Sequence, residues 1–311
     1  EGFGVKVLAN TWKNKHRQLC GFTLYYDTVD ALVRYYGDCA AIKGLIDAPI
    51  PVDGFPSDVH VRDFILSHLC SDKKFRMRDS TLEYLDDHAL WTLINEILVD
   101  QEYYFETEEC SPLIIDGGAN FGMSSIYFKK LYPGAKIIAF EPVPSLYDIA
   151  KRNIENSKYS EDIRLINKGL SSTEGKAQFY RSQQYSMAGS LTSRRVAFGD
   201  KIDTFPVDTV RLSRFLDSDV DFLKLDIEGS EGDVLLEAGE SLAAVKEMCV
   251  EWHLHKEDKV SSSLDAVLSM LSKLGFIYQI GKSGNFSKQS KYKPMQYVEK
   301  PGTLNFWARR R

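Results

Sequence analysis

No stretch of this sequence approaches the ~20 consecutive apolar residues that a membrane-spanning helix needs. No C-x-x-C pair occurs, and the five cysteines (Cys20, Cys39, Cys70, Cys110 and Cys249) are odd in number and widely spread. That pattern supports neither a zinc site nor a disulfide framework, and reduced, mostly buried thiols are expected. Positive charge is also scarce: 39 Lys and Arg against 44 Asp and Glu leave a net charge of −5. The chain therefore has no overall basic field to gather nucleic acid or anionic lipid. The first ten residues, EGFGVKVLAN, lack the basic-then-apolar plan of a signal peptide. There is no internal repeat and no long low-complexity tract. These absences set the expectation of a cytoplasmic protein with no membrane span and no nucleic-acid partner.

What is present suits one large domain or two smaller ones, since 43% of the 311 residues are hydrophobic. The texture changes near Cys110. Residues 1–108 read as a helical accessory domain, with a lid over the substrate as the sharper reading. DTVDALVRYYGDCAAIKGLI carries a helical stripe at Val29, Leu32, Val33 and Tyr36, and STLEYLDDHALWTLINEILV another from Leu82 to Ile97. Between them lie the turn-rich DAPIPVDGFPSD and a short helix, DVHVRDFILSHLC. From residue 109 to 311 short apolar runs take over: LIIDG, KIIAFE, IRLINK, VDFLKLD and KEMCVEW. Helical patterns at Met123–Tyr132, Ser145–Ser157 and Gly232–Ala238 fall between several of them. Such alternation predicts an α/β domain, a mostly parallel sheet with helices on both faces. SSSLDAVLSMLSKLG adds a helix, and FIYQI and TLNFWAR supply two last strands, readable as a hairpin with a long loop.

Ligands of open parallel sheets bind outside the carboxyl ends of the strands. There stands DGGANFG, Asp116–Gly122, and three ligands compete for it. A nucleoside triphosphate would want Lys then Ser or Thr after Gly122, where Met123 and Ser124 stand. A dinucleotide would want G-x-G-x-x-G, and neither glycine frame supplies it. S-adenosylmethionine carries no phosphate but an ammonium and a sulfonium, so an acid at the strand end is favourable. Its carboxylate could use amides at the helix N-terminus. A second acid should then close the second strand to take the ribose hydroxyls, and Glu141 does so.

Four ordered blocks, IIDGGANFGMSSIYF, AFEPVPSLYDIAKRNIENS, DTVRLSRFL and FLKLDIEGSEGDVLLEA, resemble the FkbM-type S-adenosylmethionine-dependent methyltransferases. The resemblance runs from about Tyr103 to Trp252. It implies the class I methyltransferase fold, a Rossmann-like seven-stranded sheet with one antiparallel strand. It also implies methyl transfer to oxygen, on a small molecule or glycan with a free hydroxyl. Matching the blocks puts Asp116, Gly118, Asn120, Glu141, Ser145 and Asn167 around the cofactor. Asn153 and Asn156 fit the pattern too but read better as helix hydrogen-bonding residues.

A hydroxyl is a poor nucleophile until its proton is removed. KLDIEGSE gathers Asp226, Glu228 and Glu231 beyond the fourth strand. Asp226 and Glu228 are candidates for a base or for hard-oxygen ligands of Mg²⁺; two neighbouring acids are a thin ligand set, and metal-independent transfer is the favoured expectation. DIEG is not the Asn/Asp-Pro-Pro-aromatic turn of enzymes that methylate adenine amino groups. In VEWHLH, Glu251, His253 and His255 share one face, and His253, at the strand end, suits general-base work near neutral pH. His255 reads as rim. The polar stretches RSQQYSMAGSLTSRR and GKSGNFSKQSKYKP are expected to overhang the strand ends; they read as solvated connections, as do most of the individual lysines (Lys282, Lys288, Lys291 and Lys293), with hydroxyl recognition by the first and an anionic acceptor at the second as the sharper reading. N-methylation of a small amine and a binding module without turnover are the alternatives.

Overall fold

The computed structural model describes residues 70–77, 80–183, 189–191, 201–254, 263–282 and 302–311. The chain divides into two compact units between Glu102 and Tyr103.

The described part of the first unit begins as strand. β1 (Cys70–Ser71), β2 (Lys74–Met77) and β3 (Ser80–Glu83) form an antiparallel sheet. Phe75 and Leu82 are cross-strand partners, and both are fully buried. Asp86 then caps α1 (Asp87–Leu93), its carboxylate accepting the Ala89 N–H at 2.7 Å. The helix runs on as a π-helical stretch, Ile94–Val99. The helical expectation is thus corrected here: its stripe at Leu82 belongs to a strand, because Leu82 pairs with Phe75 and Asp86 starts the helix only afterwards. The helices read at residues 27–46 and 58–69, and the proline-rich passage, lie outside the described residues.

In the second unit the apolar runs become strands as read. β4 (Leu113–Gly117), α2 (Met123–Leu131), β5 (Lys136–Phe140), α3 (Pro144–Glu155) and β6 (Ile163–Ile166) follow one another. A second sheet comes next, formed by β7 (Gly169–Leu170), β8 (Gly175–Ser182), β9 (Gly189–Ser190) and β10 (Ile202–Val210) in the order β7–β10–β8–β9. The chain returns to the main sheet with β11 (Val220–Leu225), α4 (Glu231–Ala238), β12 (Val245–Leu254), α5 (Leu264–Lys273), β13 (Phe276–Lys282) and β14 (Gly302–Arg310).

The seven-stranded sheet has the order β13–β14–β12–β11–β4–β5–β6. β14 runs antiparallel to β12 and β13, and the other pairings are parallel. The chain winds outward from β4 to β6 and then restarts at β11, on the other side of β4. β4 and β11 therefore flank the topological switch point, where a crevice opens at their carboxyl ends.

Strand alternation gives the sheet two distinct faces. Ile115, Leu223, Leu225, Met248, Val250 and Phe306 pack in one core cluster with Val234 and Leu235 of α4 and Val267 and Leu271 of α5. On the other face Phe222 stacks on Phe105 at 4.4 Å and meets Phe128 of α2 edge-on at 5.7 Å. Asp116, Lys224 and His253 share this second face.

The second sheet was not legible as such; it takes up part of the stretch expected as a polar loop. Phe179 and Val207 pack on Val143 and Leu146 at the start of α3. Residues 184–188 and 192–200 of that region, and 283–301 with most of the lysine-rich stretch, lie outside the described residues. Of the described cysteines, Cys249 is buried, Cys70 half-buried and Cys110 exposed. Among the described residues no helix is long and apolar enough to cross a membrane.

Candidate active site

The turn after β4 is held by its own backbone. Gly118 and Gly122 have φ of +84° and +86°, and Asn120 sits at +51°. A Cβ on Gly118 would stand 1.8 Å from the Asp226 carbonyl oxygen, so only glycine lets the turn lie against β11's end. The amides of Gly118 and Ala119 both bond the Phe140 carbonyl, at 3.1 and 2.9 Å. The Asn120 amide bonds Glu141 Oε2 at 2.9 Å, Phe121's bonds Asn120 Oδ1 at 2.8 Å, and Gly122's bonds the Ala119 carbonyl at 2.8 Å. Each amide from Gly118 to Gly122 thus has an acceptor inside the chain. The turn is a fixed shape rather than an anion cradle.

Asp116 lies beneath this turn with no exposed surface. Its Oδ2 accepts from the hydroxyls of Ser124 and Ser125, both at 2.6 Å, and its Oδ1 faces Lys224 Nζ at 3.4 Å. Glu141 is 5% exposed at the end of β5. Its carboxylate accepts the Asn120 and Val143 amides, both at 2.9 Å. Burial nevertheless pushes its pKa up to about 8, against the pull of those amides. Asn167 donates to the carbonyls of Glu141, at 2.8 Å, and Pro142, at 3.3 Å, tying the ends of β5 and β6. Asn153 is buried and donates to the Phe121 carbonyl at 2.7 Å, bracing the turn from α3. Ser145 is exposed and takes a 3.1 Å hydrogen bond from Arg181 of the second sheet.

Beyond β11 the chain makes a tight, polar turn. Glu228 holds φ +59°, a conformation costly for a side chain of its size, and Gly229 follows at +104°. Ser190 of β9 donates to the Glu228 carbonyl at 2.6 Å. Glu231 opens α4 almost wholly buried, with Oε1 accepting the amides of Gly229 at 2.9 Å and Ile227 at 3.2 Å. His253, near the end of β12, bridges the acids: Nδ1 is 2.9 Å from Glu231 Oε1 and Nε2 is 3.2 Å from Glu228 Oε2.

Burial works to strip the proton from His253, but Glu228 and Glu231 outweigh it, and its pKa stands well above the usual 6.5. Burial likewise opposes charge on Glu231, yet His253 and the Gly229 amide hold that carboxyl below its ordinary value. The arrangement is a carboxylate–imidazolium–carboxylate row, with exposure falling from 34% at the Glu228 side chain through 13% at His253 to 2% at Glu231. Asp226, Glu228 and His253 each offer one ligand atom within 4.8 Å of the others, the spacing of a divalent cation site. A doubly paired imidazolium is a poor metal ligand, since it has no lone pair to give.

The structure thus gathers Asp116, Gly118, Asn120, Glu141 and Asn167 at one end of the crevice, and Asp226, Glu228 and His253 at the other. Gly118 against the Asp226 backbone joins the two groups. Ser145, at the start of α3, is exposed and hydrogen-bonded by Arg181. His255 lies outside the described residues. Sequence reasoning passed over Lys224, Ser124 and Ser125, and gave Glu231 too little weight. The signal for Lys224 was a basic residue between two leucines in a wholly buried strand, with an acid two positions on.

A parallel sheet wound outward on both sides of β4, with one antiparallel strand at β14, defines the class I, Rossmann-like methyltransferase fold. Residues 116–278, just over half of the chain, match the Methyltransferase FkbM domain, and the chain belongs to this methyltransferase family. It is 30% identical over 175 residues to methyltransferase sdnD of Sordaria araneosa, a match covering 46% of this chain and 66% of that protein. It is 25% identical over 190 residues to the 2-O-methyltransferase NoeI of Sinorhizobium fredii, covering 55% and 76%. The crystal structure of methyltransferase FkbM from Methylobacillus flagellatus KT aligns with a TM-score of 0.42 and 14% identity, over 80% of this chain and 58% of that one.

Proposed function

We propose that this chain transfers the methyl group of S-adenosylmethionine to a hydroxyl oxygen of a small molecule or glycan. One observation carries the reading: the glycine turn lies directly against the backbone of Asp226, so a cofactor on the turn faces the acid row. The residues present fit that cofactor. Glu141 is an acceptor for ribose hydroxyls, and Asp226 and Glu228 bring negative charge to where a sulfonium would lie. NoeI is a 2-O-methyltransferase, which supports oxygen as the accepting atom.

S-adenosylmethionine supplies an electrophilic methyl, and the chain must supply a nucleophilic oxygen to meet it. Glu228, the most exposed member of the row, is placed to take the acceptor's proton. His253 stands behind it as a cation and steadies its charge, and Glu231, anchored by two amides, orients the imidazole. Asp226 adds negative charge beside the turn. No step in this scheme calls for a metal ion.

Calorimetry tests the cofactor half. S-adenosylhomocysteine should bind with micromolar affinity, roughly −8 kcal/mol. A labelled methyl donor offered to pools of alcohols, glycans and amines tests the acceptor half. The label should appear as a methyl ether, with undiminished yield in EDTA. Label on nitrogen would move the reading to amine methylation, and loss in EDTA restored by Mg²⁺ would establish a metal requirement.

A further inference from the structure

Lys224 is the one residue of β11 whose side-chain contacts converge on the crevice. The strand is buried along its whole length, and its other second-face residue in the middle of the sheet, Phe222, fills space among aromatic rings. Packing alone asks for no charge at position 224, and burying an ammonium is costly unless its partners repay it. The side chain of Lys224 is 2% exposed. Its Nζ donates to the Gly118 carbonyl at 2.6 Å and the Gly117 carbonyl at 3.2 Å. It lies 3.4 Å from Asp116 Oδ1 and 3.8 Å from Asp226 Oδ2, with the Tyr103 ring 5.2 Å away. An ammonium has three donors, and here they spread over one turn and two acids.

Among the described residues Asp116 Oδ1 has no hydrogen-bond partner; it is fully buried, and the Lys224 ammonium 3.4 Å away compensates its charge. The Gly117 carbonyl also accepts the Asp226 amide at 3.1 Å, so the same peptide links the turn, the lysine and the acid-bearing loop.

We propose that Lys224 is a positioning residue: its charge clamps the Gly117–Gly118 turn and Asp226 into one rigid unit, so that the turn is preformed for the cofactor. The proposal rests on the S-adenosylmethionine reading above. Lys224 touches neither substrate nor cofactor in this scheme; it acts through the two carbonyls and the two acids.

The test compares S-adenosylhomocysteine binding by calorimetry in the wild type, Lys224→Met and Leu271→Ala, at a temperature where circular dichroism shows each folded. Lys224→Met keeps the length and removes the charge. Leu271→Ala opens a hole in the fully buried core beside α5 and reports what general destabilisation does to binding. Lys224→Met should bind at least tenfold more weakly than wild type, while Leu271→Ala binds within threefold despite a lower melting temperature. Should Lys224→Met fail to fold, Lys224→Gln, which keeps a donor and loses the charge, makes the same comparison with the same expected loss. A folded neutral variant that binds within threefold of wild type overturns the proposal, as does an equal loss in Leu271→Ala. A wild type that binds no S-adenosylhomocysteine sinks the cofactor reading itself, and the role of Lys224 with it.

Discussion

Glu141 keeps its carboxyl close to titration at neutral pH, with burial pushing the pKa to about 8 from an ordinary 4.5. Ribose hydroxyls donating to it would favour the ionised form. Binding of S-adenosylhomocysteine at pH 7 should therefore release close to one proton. Calorimetry in buffers of different ionisation enthalpy reads that number directly, and Glu141→Gln should bring it near zero. The same shift works against the fold. This acid holds its proton more tightly folded than unfolded, so its contribution to stability falls as pH rises from about 4.5 through about 8. His253 has the opposite charge type. Its folded pKa lies above 6.5, so the stability it contributes is complete below 6.5 and is lost as pH rises through the folded value. His253→Ala leaves Glu231 buried without its cationic partner, held only by two amides, which should cost about 3 kcal/mol in denaturant unfolding at pH 6. With an acceptor in hand, its turnover should fall by about 10²-fold or more while S-adenosylhomocysteine affinity stays nearly unchanged. A folded variant turning over within a few-fold of wild type would remove the row from the mechanism.

Among the elements, the β4–α2 turn leaves little room for change. Gly118→Ala would drive a methyl into the Asp226 carbonyl at a positive φ. Overpacking and left-handed strain together should cost about 3 kcal/mol, read as a lowered denaturant midpoint, and cofactor binding should be lost with it. Gly175→Ala is the comparison: its φ is +128°, yet among the described residues nothing lies within 4 Å of the added Cβ, so strain alone acts there. The strands and helices flanking this turn were readable because each buries an apolar face of fixed period. The second sheet was not. β8 buries only Phe179 and Ser182, and β10 only Val207, Thr209 and Val210, so most of their residues face outward and polar and apolar side chains mix there without a clean alternation. Pro206 further disguises β10; it is tolerated because β7 pairs only with Thr209 and Val210.

At the scale of the whole molecule, the division at Glu102–Tyr103 predicts that residues 103–311 fold as a unit. A polypeptide of residues 103–311 should unfold cooperatively and bind S-adenosylhomocysteine within threefold of the full chain. One starting at residue 109 should be less stable, because it loses Phe105 from its stack on Phe222. The sequence by itself determined the alternating sheet, the switch-point turn, both strand-end acids and the FkbM family, since these rest on local periodicity and on residues close together in the chain. It also held Asp226, Glu228 and His253 as candidates. Only the tertiary structure decided what each charge faces. Asp116 and Lys224 are 108 positions apart in sequence and become partners through the pairing of β4 with β11. Glu231 and His253 meet because α4 begins where β12 ends. A burial that reverses or fixes a proton's preference depends on neighbours from distant strands, and no local pattern of residues carries that information.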